Sequence, residues 1–236
     1  MAGGVKDPPV SGVSHRRTTC AKLPIFMGNQ DDRRVPAQRP RMATVKSEPA
    51  PRRTVPTGRM SIGLYNSYDP VRFREAHRRA LARAGPIALA FDANLATFGF
   101  PYEKDLRTPI EVVRWVASTT SIGEGGKYLV ELAEAGRFAT FDFPRKGFPP
   151  QLGEIVVTTN RPDPRRRATA KLLAGLLREG TSICLVFGLG PRGLDDRDVY
   201  ALGRYHFDVT SRGLSLETAT AIGAAPAMIA ALLRAG

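Results

Sequence analysis

The stretch that decides the fold is TSICLVFGLGPRGL, residues 181–194. Its first half is almost wholly apolar, which is typical of a strand buried on both faces of a sheet. Its second half carries glycines at 188, 190 and 193, the pattern G-x-G-x-x-G directly after a strand. Glycines let backbone groups approach a ligand closely. The stretch therefore predicts a central strand that ends in a ligand-binding loop, the glycine loop (residues 188–193).

Strand-like and helix-like segments alternate on either side of this strand. Besides 181–187, the pattern predicts strands at 61–66, 86–91, 137–143, 154–159 and 206–209. It predicts helices at 69–84, 108–118, 125–135, 165–178, 196–202 and 216–233, two of which open on Asp69-Pro70 and Thr108-Pro109. Near-continuous apolar strands alternating with helices predict an α/β fold with a mostly parallel sheet and helices on both faces.

The first 59 residues differ in composition from the rest of the chain. They hold eight prolines, one aromatic residue (Phe26) and 12 Lys/Arg against 4 Asp/Glu, an excess of +8, while residues 60–236 hold 23 against 18, or +5. This basic, proline-rich segment has no apolar periodicity and is predicted to be disordered, with one domain at 60–236. Met60 directly precedes the first strand, and its position predicts an alternative translation start there.

The cysteine count and the hydropathy exclude several protein classes. Only Cys20 and Cys184 occur, neither beside a Cys or His at a metal-ligand spacing, so no zinc ribbon or disulfide framework is expected. The longest apolar stretch, 219–233, is interrupted by Thr220 and Pro226, and we expect no membrane span there. The composition predicts a cytoplasmic protein without a bound metal.

The glycine loop by itself also matches the dinucleotide-binding fingerprint of a Rossmann-like oxidoreductase. Pro191 has no N–H to offer a pyrophosphate, and too few residues follow the loop for the further βαβ units of that fold. The oxidoreductase is therefore the less favoured alternative.

Two segments together carry a more specific resemblance. Residues 186–194 (VFGLGPRGL) and 214–221 (LSLETATA) stand in the same order and at a similar spacing to two motifs of the SPOUT methyltransferases. These are an FG-x-(E)-x-x-GL loop and an SLN or LRxETA segment opening the last helix. The chain resembles that class by motif over 154–236, and over 60–236 it is similar to an archaeal family of unknown function in the same superfamily.

The resemblance implies a C-terminal trefoil knot, a homodimer, and transfer of a methyl group from S-adenosylmethionine to tRNA or rRNA. It also implies a set of cofactor-binding residues at three loops: Thr158, Thr159, Asn160, Phe187, Gly188, Leu189, Gly190, Gly193, Val209, Leu214, Ser215, Leu216 and Thr218.

The departures from the class concern the catalytic step. The early N-x-G-x-x-x-R motif of many ribose-methylating members is not evident, and Glu217 replaces the SLN asparagine. Glu217 and Asp208 are the candidate general bases. A catalytically silent knotted module for RNA binding or ribosome assembly is the main alternative function.

Basic residues suited to RNA phosphates occur in three places, and a solvated surface explains each of them as well. The predicted set is Arg145, Lys146, Arg165, Arg166, Arg167 and Arg192.

The end of the first strand offers a further group of polar residues. Asn66, Ser67 and Asp69 follow it, and parallel sheets bind ligands at the carboxyl ends of their strands. Asp69 is alternatively a helix cap, and His77 in the next helix is predicted to lie on the surface among arginines.

Overall fold

The computed structural model describes residues 57–118, 122–190, 193–194 and 197–235. Most of the predicted disordered segment (residues 1–56) and Arg192 of the predicted RNA-binding set lie outside them.

The sheet has seven strands in the order β3-β2-β1-β6-β4-β7-β5. All six pairings between neighbouring strands are parallel in the described residues, which confirms an α/β fold with a mostly parallel sheet. The predicted strand at 181–187 is the central one, β6, and all six of its residues are buried. The strands are β1 (Met60–Tyr65), β2 (Asn94–Phe98), β3 (Phe138–Phe141), β4 (Glu154–Thr158), β5 (Arg167–Ala168), β6 (Ile183–Gly188) and β7 (Tyr205–Phe207).

Six α-helices accompany the sheet in the described part of the chain. They are α1 (Glu75–Ala90), α2 (Pro109–Ala117), α3 (Gly125–Glu134), α4 (Ala170–Arg178), α5 (Arg197–Leu202) and α6 (Thr218–Ala235), with one 3-10 turn at Pro150–Leu152. The predicted start of α2 is correct, because the Thr108 hydroxyl accepts from the Glu111 N–H and the Glu111 carboxylate accepts from the Thr108 N–H.

Five of the helices share one face of the sheet. α1, α2, α3, α4 and α6 enclose the larger core together with strand residues such as Ile62, Leu64 and Leu185. On the opposite face, Phe98 and Val186 lie in a smaller core that the segment after β3 and the short helix α5 cover. Helices were predicted on both faces, and α5 is the one described α-helix on the face of the smaller core.

The predicted strand at 86–91 is wrong, because these residues belong to α1 and to the turn that follows it. Pro86 lies inside the helix. A short apolar run does not distinguish a strand from a buried helix, and here Ala84 and Ala88 are buried against the core while Gly85 packs beside Leu129. The strand that pairs with β1 begins only at Asn94.

The predicted helix start at Asp69-Pro70 is also wrong. One carboxylate oxygen of Asp69 accepts from the N–H groups of Val71 and Arg72, which makes a turn, and α1 begins at Glu75. These two N–H bonds and the Arg74 side chain lower the pKa of Asp69 to about 2. Similarly, α4 begins at Ala170, so Arg165–Arg167 lie in a loop and in β5 rather than in the predicted helix.

The last helix, α6, is long and apolar enough to cross a membrane by length and composition alone, contrary to the expectation for 219–233. One such helix is weak evidence, since core helices pass the same test. Ile222, Ala225 and Ile229 of α6 are fully buried in the larger core.

Candidate functional site

A cavity of about 1390 Å³ opens at the carboxyl ends of β1, β4, β6 and β7. One face of α1 and the start of α6 complete its walls. A small second cavity of about 70 Å³ adjoins it and shares Thr158, Leu216 and Thr218 with it. Small-molecule sites are typically about 300–1,000 Å³, so the larger cavity exceeds the size needed for one such ligand.

All the residues predicted to bind the cofactor come together around these two cavities. Phe187 and Gly188 line the small cavity, although the Phe187 side chain belongs to the core. The others line the large cavity: Thr158, Thr159, Asn160, Leu189, Gly190, Gly193, Val209, Leu214, Ser215, Leu216 and Thr218. Their role in cofactor binding stays a prediction.

The glycine loop folds back tightly on its own strand. A Cβ on Gly188 would lie 2.3 Å from the carbonyl carbon of Gly193, so only glycine fits there. The Gly193 N–H donates to the Gly190 carbonyl oxygen over 2.8 Å, and the φ of Gly193 is +67°. Among the described residues, no atom lies within 4 Å of a Cβ built on Gly193, so none of them fills the space beside this glycine.

A serine from the end of β1 fastens the glycine loop. The Ser67 hydroxyl donates to the Gly193 carbonyl oxygen over 2.8 Å and accepts from the Gly190 N–H over 2.9 Å. A Cβ on Gly190 would lie 2.5 Å from the Ser67 carbonyl oxygen. The missing side chain of Gly190 therefore leaves room for Ser67.

Asp208 holds the loop between β7 and α6. One of its carboxylate oxygens accepts from the Thr210 N–H and hydroxyl, and the other accepts from the Gly213 N–H over 2.7 Å. The Asn160 amide donates to the Gly213 carbonyl oxygen and so links this loop to the end of β4. Asp208 lines the cavity, but its hydrogen bonds serve the turn, which favours a positioning role over that of a general base.

The start of α6 brings Glu217 to the cavity. The Thr218 hydroxyl donates to the Gly188 carbonyl oxygen over 3.1 Å and ties the helix to the glycine loop. The Glu217 side chain is 72% exposed, and its carboxylate pairs with the Arg83 guanidinium of α1 at 3.3 Å. Glu217 therefore remains accessible to a ligand in the cavity.

α1 and two arginines elsewhere also contribute to the cavity, although the sequence did not predict them there. Glu75, Arg79 and Arg83, one turn apart along α1, line the cavity, as do Arg161 and Arg197. Their spacing of four residues was visible in the sequence. The sequence did not show where α1 begins or which of its faces meets the cavity.

The predicted RNA-binding residues do not form one patch. Arg145 and Lys146 are exposed on the segment after β3, which packs through Phe143 against Tyr65 of β1. Four strand spacings separate β1 from β5 and its Arg167, about 19 Å at roughly 4.8 Å each.

Of Arg165, Arg166 and Arg167, which the structure describes, only Arg166 lines the cavity. The Arg166 guanidinium donates to the carbonyl oxygens of Ala201 and Gly203 near the end of α5, so it fastens that helix. Arg165 and Arg167 are exposed.

Two histidines near the site are buried and neutral. Contrary to the predicted surface position, His77 is fully buried, with Nδ1 accepting from the Arg74 N–H and Nε2 facing the Asn66 oxygen at 2.9 Å. His206 accepts at Nδ1 from the Asp163 N–H. Burial lowers the pKa of both. Neither is placed to exchange protons with a ligand.

Metal and thiol chemistry find no support in the described ranges. Within them, no three His, Cys, Asp or Glu side chains are grouped closely enough to hold a metal ion. Burial in β6 raises the pKa of the Cys184 thiol to about 12, so this thiol is neutral.

The residues around the cavity fit a nucleoside-sized cofactor such as S-adenosylmethionine. Aliphatic side chains of Leu189, Leu214 and Leu216 offer apolar walls to a purine. The clear space beside Gly193 gives access to loop backbone. The hydroxyl and amide side chains of Thr159 and Asn160 supply polar groups.

The fold is similar to that of solved methyltransferases. A probable methyltransferase from Bordetella pertussis matches with a TM-score of 0.52 at 14% identity, covering 75% of this chain and 96% of that one. The SpoU methyltransferase AviRb from Streptomyces viridochromogenes matches with a TM-score of 0.50 at 14% identity, covering 76% of this chain and 62% of that one. At such identities the similarity establishes the fold alone.

The sequence comparisons establish the family. The family model described as "Protein of unknown function (DUF531)" matches residues 60–230, and the chain belongs to this family. An uncharacterised protein of Methanocaldococcus jannaschii is 42% identical over 171 residues, which cover 72% of this chain and 93% of that protein.

Proposed function

We propose that this protein transfers the methyl group of S-adenosylmethionine to an RNA, either tRNA or rRNA. The observation that carries the proposal is the cavity itself, because it brings together the two segments whose motifs resemble the SPOUT class and the end of β4, the third loop that the resemblance implies. The similarity of the fold to solved methyltransferases supports the same reaction class.

The chain's own residues would act mainly by holding and orienting. The bound cofactor supplies an electrophilic methyl group. The glycine loop and Leu214–Leu216 would hold the adenosine part, and Thr218 fixes the start of α6 against the loop through Gly188. An acceptor atom held in line with the methyl group gains most of its acceleration from proximity.

Glu217 is the proposed proton acceptor for an RNA atom that carries a proton. Its carboxylate is exposed at the cavity, where it forms a solvent-exposed ion pair with Arg83 of α1 that an incoming RNA phosphate can replace. A carboxylate that accepts a proton as the new bond forms is a general base. Asp208 would act beside it as a positioning residue, because its oxygens accept hydrogen bonds from the turn at 210–213.

The chain path supports a proposed trefoil knot. From β6 the chain crosses β4 to reach β7, then returns to β6, where Thr218 bonds to Gly188. We propose that this return threads a preceding loop, as the resemblance implies.

We also propose a homodimer formed through α6. The outward side of this helix presents apolar residues to solvent, including Met228 and Leu232, each 39% exposed. A second copy would cover them. Leu232→Glu should shift the protein to a monomer in sedimentation equilibrium, whereas a parent protein that is already monomeric would contradict the proposal.

The cysteine usage supports a cytoplasmic location.

Calorimetry with S-adenosylhomocysteine tests the proposed cofactor directly. The full-length chain should bind it and should not bind NAD. The transferred group is then tested by incubating the protein with S-adenosylmethionine carrying a labelled methyl group and total RNA from a deletion strain. Label that appears in one RNA species supports the proposal, and nucleoside mass spectrometry identifies the atom. Absence of binding would refute it.

The silent RNA-binding module remains the second candidate. It predicts RNA binding without cofactor binding. The open cavity of about 1390 Å³ favours the methyltransferase, because its volume exceeds the range of about 300–1,000 Å³ for one small molecule and leaves room for a cofactor beside RNA. A Rossmann-like oxidoreductase fits less well. The Gly190 N–H is engaged by Ser67 rather than directed at a phosphate.

A further inference from the structure

The four residues Asn66–Asp69 that follow β1 are built into a rigid turn. Asn66 is 3% exposed, and its amide nitrogen donates to the carbonyl oxygens of Asp69 and Gly99, both at 2.8 Å. Its amide oxygen accepts from the N–H groups of Tyr68 and Asp69 at 3.2 Å. The Asn66 side chain therefore fixes the N–H of Tyr68 and the backbone of the next residue, Asp69.

This turn directs Tyr68 to the cavity. Ser67 is bonded to both ends of the Gly190–Gly193 turn, which puts its neighbour Tyr68 beside the glycine loop. Tyr68 lines the cavity, and the residue is 50% exposed. The ring contacts His77 edge to face, with 5.9 Å between the ring centroids. An exposed aromatic ring on a fixed backbone is a suitable surface for stacking.

Two arginines of α1 line the same cavity. The Arg79 Nε bonds to Glu75 at 3.1 Å, and an Arg83 Nη bonds to Glu217 at 3.3 Å. Their side chains are 64% and 53% exposed. Exposed pairs of this kind are weak, so a phosphate can displace the carboxylates readily.

The cavity has room for a second ligand beside the cofactor. Its volume of about 1390 Å³ exceeds the range of about 300–1,000 Å³ that accommodates one small molecule. A nucleobase that stacks on a protein ring must first leave its helical stack, so the ligand would be an unpaired nucleotide.

We propose that Tyr68 stacks against the base of an unpaired RNA nucleotide while Arg79 and Arg83 bind the adjoining phosphates. This inference rests on the proposed function, since it names the form in which the RNA enters the methyl-transfer cavity. Tyr68 would thus select unpaired over double-stranded RNA. It would do so without base-specific hydrogen bonds.

The test measures binding of short fluorescent oligoadenylate to the full-length chain by anisotropy, with S-adenosylhomocysteine present. Base stacking on an aromatic ring predicts that Tyr68→Ala weakens binding by about 5-fold to 150-fold. Tyr68→Phe keeps the ring and should stay within about twofold of the parent. Val71→Ala is the matched control, because Val71 is exposed on the same segment but does not line the cavity.

The arginines are tested by salt dependence. Replacing Arg83 with glutamine should reduce the slope of log affinity against log salt by about 0.7, the value for one phosphate contact on a single strand. Oligoadenylate annealed to oligouridylate should bind more weakly than the single strand, and Tyr68→Ala should not change its affinity.

Three results would overturn the inference. They are unchanged oligoadenylate binding by Tyr68→Ala, an equal loss in Tyr68→Phe, and absence of RNA binding by the parent protein. Calorimetry with S-adenosylhomocysteine separates this inference from the proposed function. If the parent binds no cofactor while Tyr68-dependent RNA binding persists without it, methyl transfer is refuted and the stacking site is supported.

Discussion

Replacing Gly188 with alanine tests whether close packing shapes the glycine loop. The new Cβ would lie 2.3 Å from the Gly193 carbonyl carbon and 2.4 Å from the Leu194 nitrogen. Carbon atoms normally approach to about 3.5–4.0 Å, so the loop must move by more than about 1 Å. Overpacking of this kind costs about 1–3 kcal/mol. The movement also strains the bond between Gly193 and Gly190, which adds about 0.5–1.5 kcal/mol.

The expected loss of unfolding free energy is therefore about 2–4 kcal/mol. Against a typical stability of about 5–15 kcal/mol, the variant should still fold. At a urea dependence of about 2 kcal/mol per molar, the middle of the usual range of about 1–3, the unfolding midpoint should fall by about 1–2 M. The displaced loop should also abolish binding of S-adenosylhomocysteine in calorimetry.

The matched control is the same substitution at Gly175, inside α4. No atom lies within 4 Å of a Cβ built on Gly175, and glycine within a helix is less stable than alanine by about 0.5–1 kcal/mol. Gly175→Ala should raise the midpoint and leave cofactor binding intact. A Gly188→Ala protein with the parent midpoint and parent cofactor affinity would show that the loop is not held by this contact.

Ser67→Ala removes the hydroxyl that bonds two backbone groups of the glycine loop. It should lower the free energy of unfolding in urea by about 1–3 kcal/mol and weaken the binding of S-adenosylhomocysteine in calorimetry. Equal affinity would mean that the loop keeps its shape without this serine. Glu217→Gln should keep the fold and the cofactor affinity, because the ion pair between Glu217 and Arg83 is exposed. If Glu217 is the general base, the variant should lower the methyl-transfer rate by about 100-fold or more. Full turnover by the variant would remove Glu217 from the mechanism. Burial lowers the pKa of His77 in the folded protein. The unfolded chain therefore binds a proton at His77 more readily than the folded chain does. The contribution of His77 to the free energy of unfolding is thus present above about pH 6.5 and should decline on acidification. His77→Gln should reduce this slope in urea titrations between about pH 8 and pH 5 without abolishing it, because His206 behaves alike, and an unchanged slope would exclude His77 as a source.

The sequence alone predicted the elements whose local signals agree with their surroundings. The apolar run at 181–187 identified the central strand, since a strand buried on both faces needs continuous apolar residues. The Thr108-Pro109 pair identified the start of α2, because a capping residue followed by proline at the first helical position is a local signal. The resemblance carried by residues 186–194 and 214–221 also implied the residues that surround the cavity.

The region between β1 and β2 depended on tertiary packing. An apolar run with a proline at position 86 favours a strand locally, but burial of Ala84 and Ala88 against the core keeps it helical. The same packing buries His77, which charged neighbours in the sequence had suggested to be exposed.

The cavity walls divide in the same way. The glycines of the loop were visible in the sequence because their spacing is local, whereas their fastening by Ser67 joins residues 123 and 126 positions apart. The sequence could place Arg79 and Arg83 on a helix. The face of α1 that meets the cavity follows instead from the start of α1 at Glu75 and from the packing of this helix on the sheet. Local patterns thus determined which loops carry the site, and long-range contacts between parallel strands decided which side chains face one another across it.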